Sequence, residues 1–332
     1  MTQVAIPVAP AKRRIPFLRE ASSALAILAV GLFGYVLFPD DLAFLTRLIG
    51  IAFLVLSLDL VTGYCGVATL GHAAQFGVAA YAVGIACVRG ITDPILLLLI
   101  GLAAGMAMGA ISGALITRFR ALPQLVLSIA VGQLVAALAN KLQWLTGGSD
   151  GLSGIEPGKV LGLFGFDIYS RTAYLFSLGV LIVTFIVLQR LVNSPFGMMC
   201  RGIKDDDLRA KMIGVSVYPR LVAMFGMSGA VAGLGGALTA MSTGVVGLDS
   251  VSFERSAEVL VMLVLGGAGH LWGALLGTLI YMTFEHIVAA TNPFHWMTLV
   301  GLLLILIVVF APQGLIGALT RAARRMRKGT PT

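Results

Sequence analysis

Apolar runs of membrane-spanning length recur along the chain, separated by short polar breaks. They cover residues 21–38, 43–62, 67–88, 94–117, 123–145, 172–191, 221–241, 271–290 and 296–315. Each is close to the ~20 residues a helix needs to cross a bilayer. A further run, 256–266, is too short for a full crossing and ends in Gly266-Gly267-Ala268-Gly269. Counting it separately gives ten membrane segments, whereas merging it with its successor gives nine. The first run is expected to be an uncleaved helix, closed by Pro39-Asp40-Asp41. The segment Gly63-Tyr64-Cys65-Gly66 predicts irregular backbone, which at membrane depth is tolerated only beside a cavity or packed protein.

The longest polar interruption carries a structure of its own. Residues 192–220 separate two apolar runs, and between Arg201 and Lys211 seven of eleven residues are charged. Such a segment cannot lie in hydrocarbon. Ser194-Pro195 reads as a helix start, with Ser as N-cap and Pro at the first helical position. Asp205, Asp206 and Asp207 favour a second helix N-terminus, Lys211 suits its C-terminal end, and Gly214 can close it in a left-handed conformation. Leu208 and Met212, four apart, set an apolar stripe on that second helix. A solvated connector would show charges too, but a capped helix pair with an apolar stripe is better explained as a docking surface.

Composition agrees with the pattern. Of 332 residues 58% are hydrophobic and 11% charged, and the mean hydropathy is +0.97. A soluble domain carries about 25% charged residues, so the chain is a polytopic membrane protein with no room for a separate soluble domain. The 41 glycines, many inside apolar runs, suit tightly packed membrane helices. Cys65, Cys87 and Cys200 show no pairing or metal-ligand spacing, and no cofactor pattern occurs. The net charge of +8 follows from topology. With ten crossings, 17 of the basic residues fall on the side of the N-terminal arm, the 192–220 loop and the C-terminal tail, and 6 on the other. Basic loops mark the cytoplasm, so both termini and the charged loop are expected there. Residues 1–20 then form a cytoplasmic arm, 21–317 the membrane domain and 318–332 a basic tail.

No phosphate-cradling loop is present: Gly158-Lys159-Val160 fails on both sides. The chain should therefore not hydrolyse ATP itself, and no H-E-x-x-H or G-x-S-x-G motif suggests another enzyme. Polar residues at membrane depth are the functional candidates, because burying them there is costly. Asp59 can bind a cation or an amine, or stand protonated between helices. His72, in Leu70-Gly71-His72-Ala73-Ala74-Gln75, can line a pathway or join helices by a hydrogen bond. Gln75 and Gln133 admit the same two readings. Gly71-His72 and Gly269-His270 each precede a small-residue helix with a tyrosine, Tyr81 or Tyr281, which hints at two matching halves.

These motifs converge on one family. Leu58-Asp59-Leu60-Val61-Thr62-Gly63-Tyr64-Cys65-Gly66 with Leu70-Gly71-His72-Ala73-Ala74-Gln75-Phe76-Gly77 resembles the N-L-L-x-G-Y-x-G … L-G-H-A-A-F-F-G signature of branched-chain amino acid ABC transporter permeases of the LivM type. Thr146-Gly147-Gly148, Ser194-Pro195-Phe196-Gly197 through Ile213-Gly214, Gly266-Gly267-Ala268-Gly269 with Trp272-Gly273, and Pro312-Gln313-Gly314-Leu315 match further family segments in order, over about residues 45–317. The resemblance implies a bacterial inner-membrane permease of about ten helices with type II ABC importer-like architecture. Its implied partners are a LivH-like permease, two cytosolic ATPases and a periplasmic substrate-binding protein. The charged loop becomes the ATPase-coupling helix, with Pro195, Phe196, Gly197, Arg201, Lys204, Asp205, Leu208, Met212 and Gly214 as coupling residues. Asp59, Tyr64, His72, Gln75 and Gln133 are the implied translocation-pathway residues. Asp59 stands where the family has Asn, Gln75 where it has Phe, Val67 where it has Gln, and Gln133 where an acid is frequent. Substrate class is thus less firmly carried than transporter class, and urea, short amides and aromatic or other hydrophobic acids are alternatives. A secondary transporter using Asp59 and His72 as ion sites, and an intramembrane enzyme, are the competing classes.

Overall fold

A computed structural model of the chain describes residues 16–159 and 170–291, with 298, 299, 301, 305, 314, 315 and 317. Its helices are α1 (Pro16–Leu37), α2 (Leu42–Leu58), α3 (Ala73–Val88), α4 (Pro94–Ile116), α5 (Leu122–Lys141), α6 (Gln143–Thr146), α7 (Arg171–Asn193), α8 (Pro195–Asp205), α9 (Asp207–Met212), α10 (Val217–Thr243), α11 (Phe253–Gly266) and α12 (Leu271–Thr291). Helix α2 runs on into a π-helical turn, Asp59–Tyr64. Six segments are long and apolar enough to cross a membrane: Leu42–Tyr64, α4, α5, α7, α10 and α12. The chain is a multi-pass membrane protein. Two further apolar helices, Ala21–Leu37 and α3, are shorter.

The expected segments differ from these helices in two places. The run 67–88 is helical only from Ala73: Gly66 takes φ +72°, and the Val67 amide turns back to the Val61 carbonyl at 3.1 Å. The run 123–145 is cut at Lys141 and resumes as the single turn α6. The last run, 296–315, falls largely outside the described residues, as do the expected arm through residue 15 and the tail 318–332. At ~1.5 Å per residue, α3 and α11 are both too short for a ~30 Å hydrocarbon layer. Irregular segments 66–72 and 267–270 lead into α3 and α12, and Tyr81 and Tyr281 are both buried.

Helix α10 is the centre of the bundle, packed against α2, α3 and α4. Its closest partner is α4, which presents Gly101, Gly105, Gly109 and Gly113 at four-residue spacing to Phe225, Gly229, Gly233 and Ala237. A Cβ on Gly105 would overlap the Gly229 carbonyl, and one on Gly229 would overlap the Gly105 carbonyl. Only glycine lets these backbones touch, and dispersion over that contact replaces the hydrophobic drive that lipid does not supply.

Long-range bonds orient the ends. Ser23 Oγ, near the start of α1, donates to Gln189 Oε1 near the end of α7 at 2.8 Å. Arg120, after α4, pairs with Asp207 of α9 at 2.9 Å. The start of α1, the α4–α5 connection and the α8–α9 pair therefore share one face of the bundle. At the other end, β1 (Leu152–Ser153) pairs antiparallel with β2 (Val245–Val246).

The seam predicts a position-specific response to one methyl group. Gly229→Ala should cost roughly 1–3 kcal/mol through overpacking. Gly179→Ala on α7, where a Cβ meets nothing within 4 Å, should be neutral or stabilising by up to ~1 kcal/mol. Thermal unfolding of the two variants in detergent checks the contrast.

Candidate coupling and translocation site

The capped loop folds as its sequence suggests. Ser194 Oγ accepts the Gly197 amide at 3.3 Å, and Asp206 Oδ1 accepts the Arg209 amide at 2.9 Å. Gly214 sits at φ +85°. Phe196 packs on the core, and Gly197 turns so tightly off α7 that a Cβ would press on the Leu191 and Val192 carbonyls. Asp205 is exposed at the end of α8. On α9, Leu208 and Met212 are 64% and 76% exposed, and Ile213 extends the stripe at 76%. Beside it a cleft of about 420 Å³ is lined by Thr117, Arg118, Arg120, Lys211, Val217 and Tyr218.

The inner edge of α8 rests on the π-turn of α2. Lys204 Nζ donates to the Gly63 carbonyl at 2.7 Å. The Arg201 guanidinium lies 4.9 Å from the centre of the Tyr64 ring, and the buried Cys200 thiol lies beside that of Cys65. All three cysteines are free. Asp59, fully buried, accepts the Gly269 amide on Oδ1 at 2.6 Å. Its Oδ2 has no hydrogen-bond partner among the described residues. Residue 63 must be glycine, since a Cβ there would overlap the Asp59 carboxylate and the Gly269 amide.

His72 occupies a second junction. Its Nε2 is 3.0 Å from both Ser57 Oγ of α2 and Ser228 Oγ of α10. Ser57 Oγ donates to the Leu54 carbonyl and Ser228 Oγ to the Ser57 carbonyl, each at 2.6 Å. Both hydroxyl protons are committed, so the ring must carry its proton on Nε2 and donate. Nδ1 has no partner among the described residues. The neighbouring amides are answered by side chains as well: Leu70 donates to Ser128 Oγ of α5 and Ala73 to Ser256 Oγ of α11, both at 3.0 Å.

One helical turn on, Gln75 Nε2 donates to Ser112 Oγ of α4 at 3.2 Å, and its Oε1 is unpartnered among the described residues. Gln133 stands apart, on the exposed face of α5 with Val126 and Leu134. The structure thus joins Asp59 and Tyr64 to Arg201 and Lys204, two groups the sequence keeps 137 or more residues apart. Sequence reading missed Ser57, Ser128, Ser228 and Ser256, which look like ordinary small packing residues in apolar helices. It also missed the cluster at the start of α11, where Arg255 pairs with Glu258 at 2.9 Å and with Asp249 at 3.5 Å.

Comparison with known proteins follows the same lines. The family of branched-chain amino acid transport system permease components matches residues 42–309. The high-affinity branched-chain amino acid transport permease LivM of Escherichia coli is 27% identical over 87% of this chain and 72% of its own. The fructose import permease FrcC of Rhizobium meliloti is 26% identical over 65% of this chain and 62% of its own. LivH of Escherichia coli is 28% identical over 41% of this chain and 46% of its own. No solved structure matches.

The hydroxyl arrangement around His72 makes a spectroscopic prediction. Nitrogen-15 NMR of labelled protein should show a neutral ring protonated on Nε2. A ring protonated on Nδ1 would contradict the assignment of the two serine protons.

Proposed function

The chain belongs to the branched-chain amino acid transport permease family, a membrane permease subunit of an ABC importer, and from that premise we propose the following assembly. The protein is the LivM-like half of the translocation unit in a bacterial inner membrane. It pairs with a LivH-like permease, is driven by two cytosolic ATPases and receives substrate from a periplasmic binding protein. Its substrates are branched-chain or related hydrophobic amino acids. Residues 1–20 and 318–332 lie in the cytoplasm, and 192–220 form the coupling loop.

One observation carries this reading. A chain otherwise built for lipid holds a doubly capped helix pair whose apolar residues Leu208, Met212 and Ile213 face away from the protein. Exposed apolar side chains on a folded cytoplasmic element are a contact waiting for a partner, and the flanking Arg209 and Lys211 set its rim. The ATPase groove is that partner. Pro195 and Gly197 fix the angle at which α8 leaves α7, while Arg201, Lys204 and Asp205 hold and flank it.

The pathway runs along the face of α5 that this chain leaves uncovered. Only 22% of its membrane window is buried, the least of the six spanning segments. The LivH-like subunit packs there, so that Gln133 reaches the passage between the permeases. Asp59, Tyr64, His72 and Gln75 form the polar wall behind it, holding α2, α3, α4 and α10 in register.

Replacing both Leu208 and Met212 with Asp should abolish substrate uptake and loosen the ATPases in co-purification, with membrane insertion intact. Unchanged uptake in that double variant would remove the docking assignment.

A further inference from the structure

We propose that Lys204 and Asp59 form a charge-compensated joint through which movement of the coupling helix α8 reaches α2, α11 and α12. The inference rests on the importer reading above and adds the route of transmission to it. Three residues within little more than one turn of α8 each hold one residue at the end of the π-turn. Lys204 takes the Gly63 carbonyl, Arg201 covers the Tyr64 ring, and Cys200 meets Cys65. The order is antiparallel, so the two segments lie along each other and do not merely cross.

Chemistry explains why the contact is firm. A π-turn breaks the regular i→i+4 ladder, and the end of a helix leaves carbonyls without backbone partners. An ammonium group answers one of them with a charge-assisted bond, on the end of the helix whose dipole favours a cation. Asp59 opens the same π-turn and is fully buried. Lys204 is the cation beside it: its Nζ holds the Gly63 carbonyl, and Gly63 packs directly on the Asp59 carboxylate. Asp59 in turn holds the Gly269 amide, in the turn between α11 and α12. An asparagine at 59 could accept the same amide without needing Lys204. The carboxylate makes the two positions interdependent: a shift of α8 that moves Lys204 changes the electrostatic balance at Asp59 and with it the hold on residue 269.

The test uses the complete importer in vesicles, reading substrate transported per ATP hydrolysed. Lys204→Met should lower that ratio at least ~10-fold, because it strands a buried charge. Lys204→Arg, which keeps the charge, should hold it within about threefold, and Asp59→Asn added to Lys204→Met should restore it to about the same range. Were Lys204→Met to prevent assembly, recovery of the complex by the added Asp59→Asn would support the joint equally. An unchanged ratio in Lys204→Met, or a double variant no better than the single one, overturns the proposal. Wild-type uptake that needs no ATP would instead overturn the importer reading itself.

Discussion

A bilayer offers a backbone amide no water, and the most informative parts of this protein are those where the helix stops inside the membrane domain. Segments 66–72 and 267–270 leave the i→i+4 ladder with Val67, Thr69, Gly71, His72 and Gly267 buried among the helices. Three amides in and beside them are met by side chains from other elements: Leu70 by Ser128, Ala73 by Ser256, Gly269 by Asp59. Leaving such groups unpaired in hydrocarbon costs several kcal/mol each. These bonds therefore decide which helices must adjoin, and α3 and α12 can start only where α5, α11 and α2 supply acceptors.

Packing then proceeds at the closest range the backbone allows. The α4–α10 seam brings carbonyls and glycine Cα atoms into contact, which fixes the central helix against its neighbours. With α10 immobile, Ser228 is in place to meet His72, and α2 is held so that its π-turn faces α8. Rigidity at the seam and irregularity at the π-turn are complementary. A joint can transmit movement only if what lies on either side of it does not deform.

The departures from the family signature gain a physical context. Asp59, unusual as an acid, packs on Gly63, whose carbonyl Lys204 holds, and accepts a backbone amide. Gln75, in place of a phenylalanine, reaches Ser112 and so ties α3 to α4 by a hydrogen bond instead of by packing alone. Both changes place polar groups where burial is nearly complete, and in each case one atom, Asp59 Oδ2 or Gln75 Oε1, is unpartnered among the described residues.

Much of this was legible in the chain itself. Hydrophobic runs located the six segments long enough to cross a membrane to within about four residues at each end, because helix length is dictated by bilayer thickness. The caps at Ser194 and Asp206 and the turn at Gly214 were readable because capping is a local interaction between near neighbours. The irregular backbone beyond Gly63 was signalled by glycine spacing, but its π-helical form and the late start of α3 at Ala73 were not. Those depend on acceptors far away in sequence: Gly269 is 210 residues from Asp59, and Lys204 is 141 from Gly63. The four serines were invisible for a related reason, since a small residue in an apolar helix packs and hydrogen-bonds with the same composition. Local periodicity, capping and charge bias belong to the sequence; which polar atom answers which orphaned amide is set only when the helices meet.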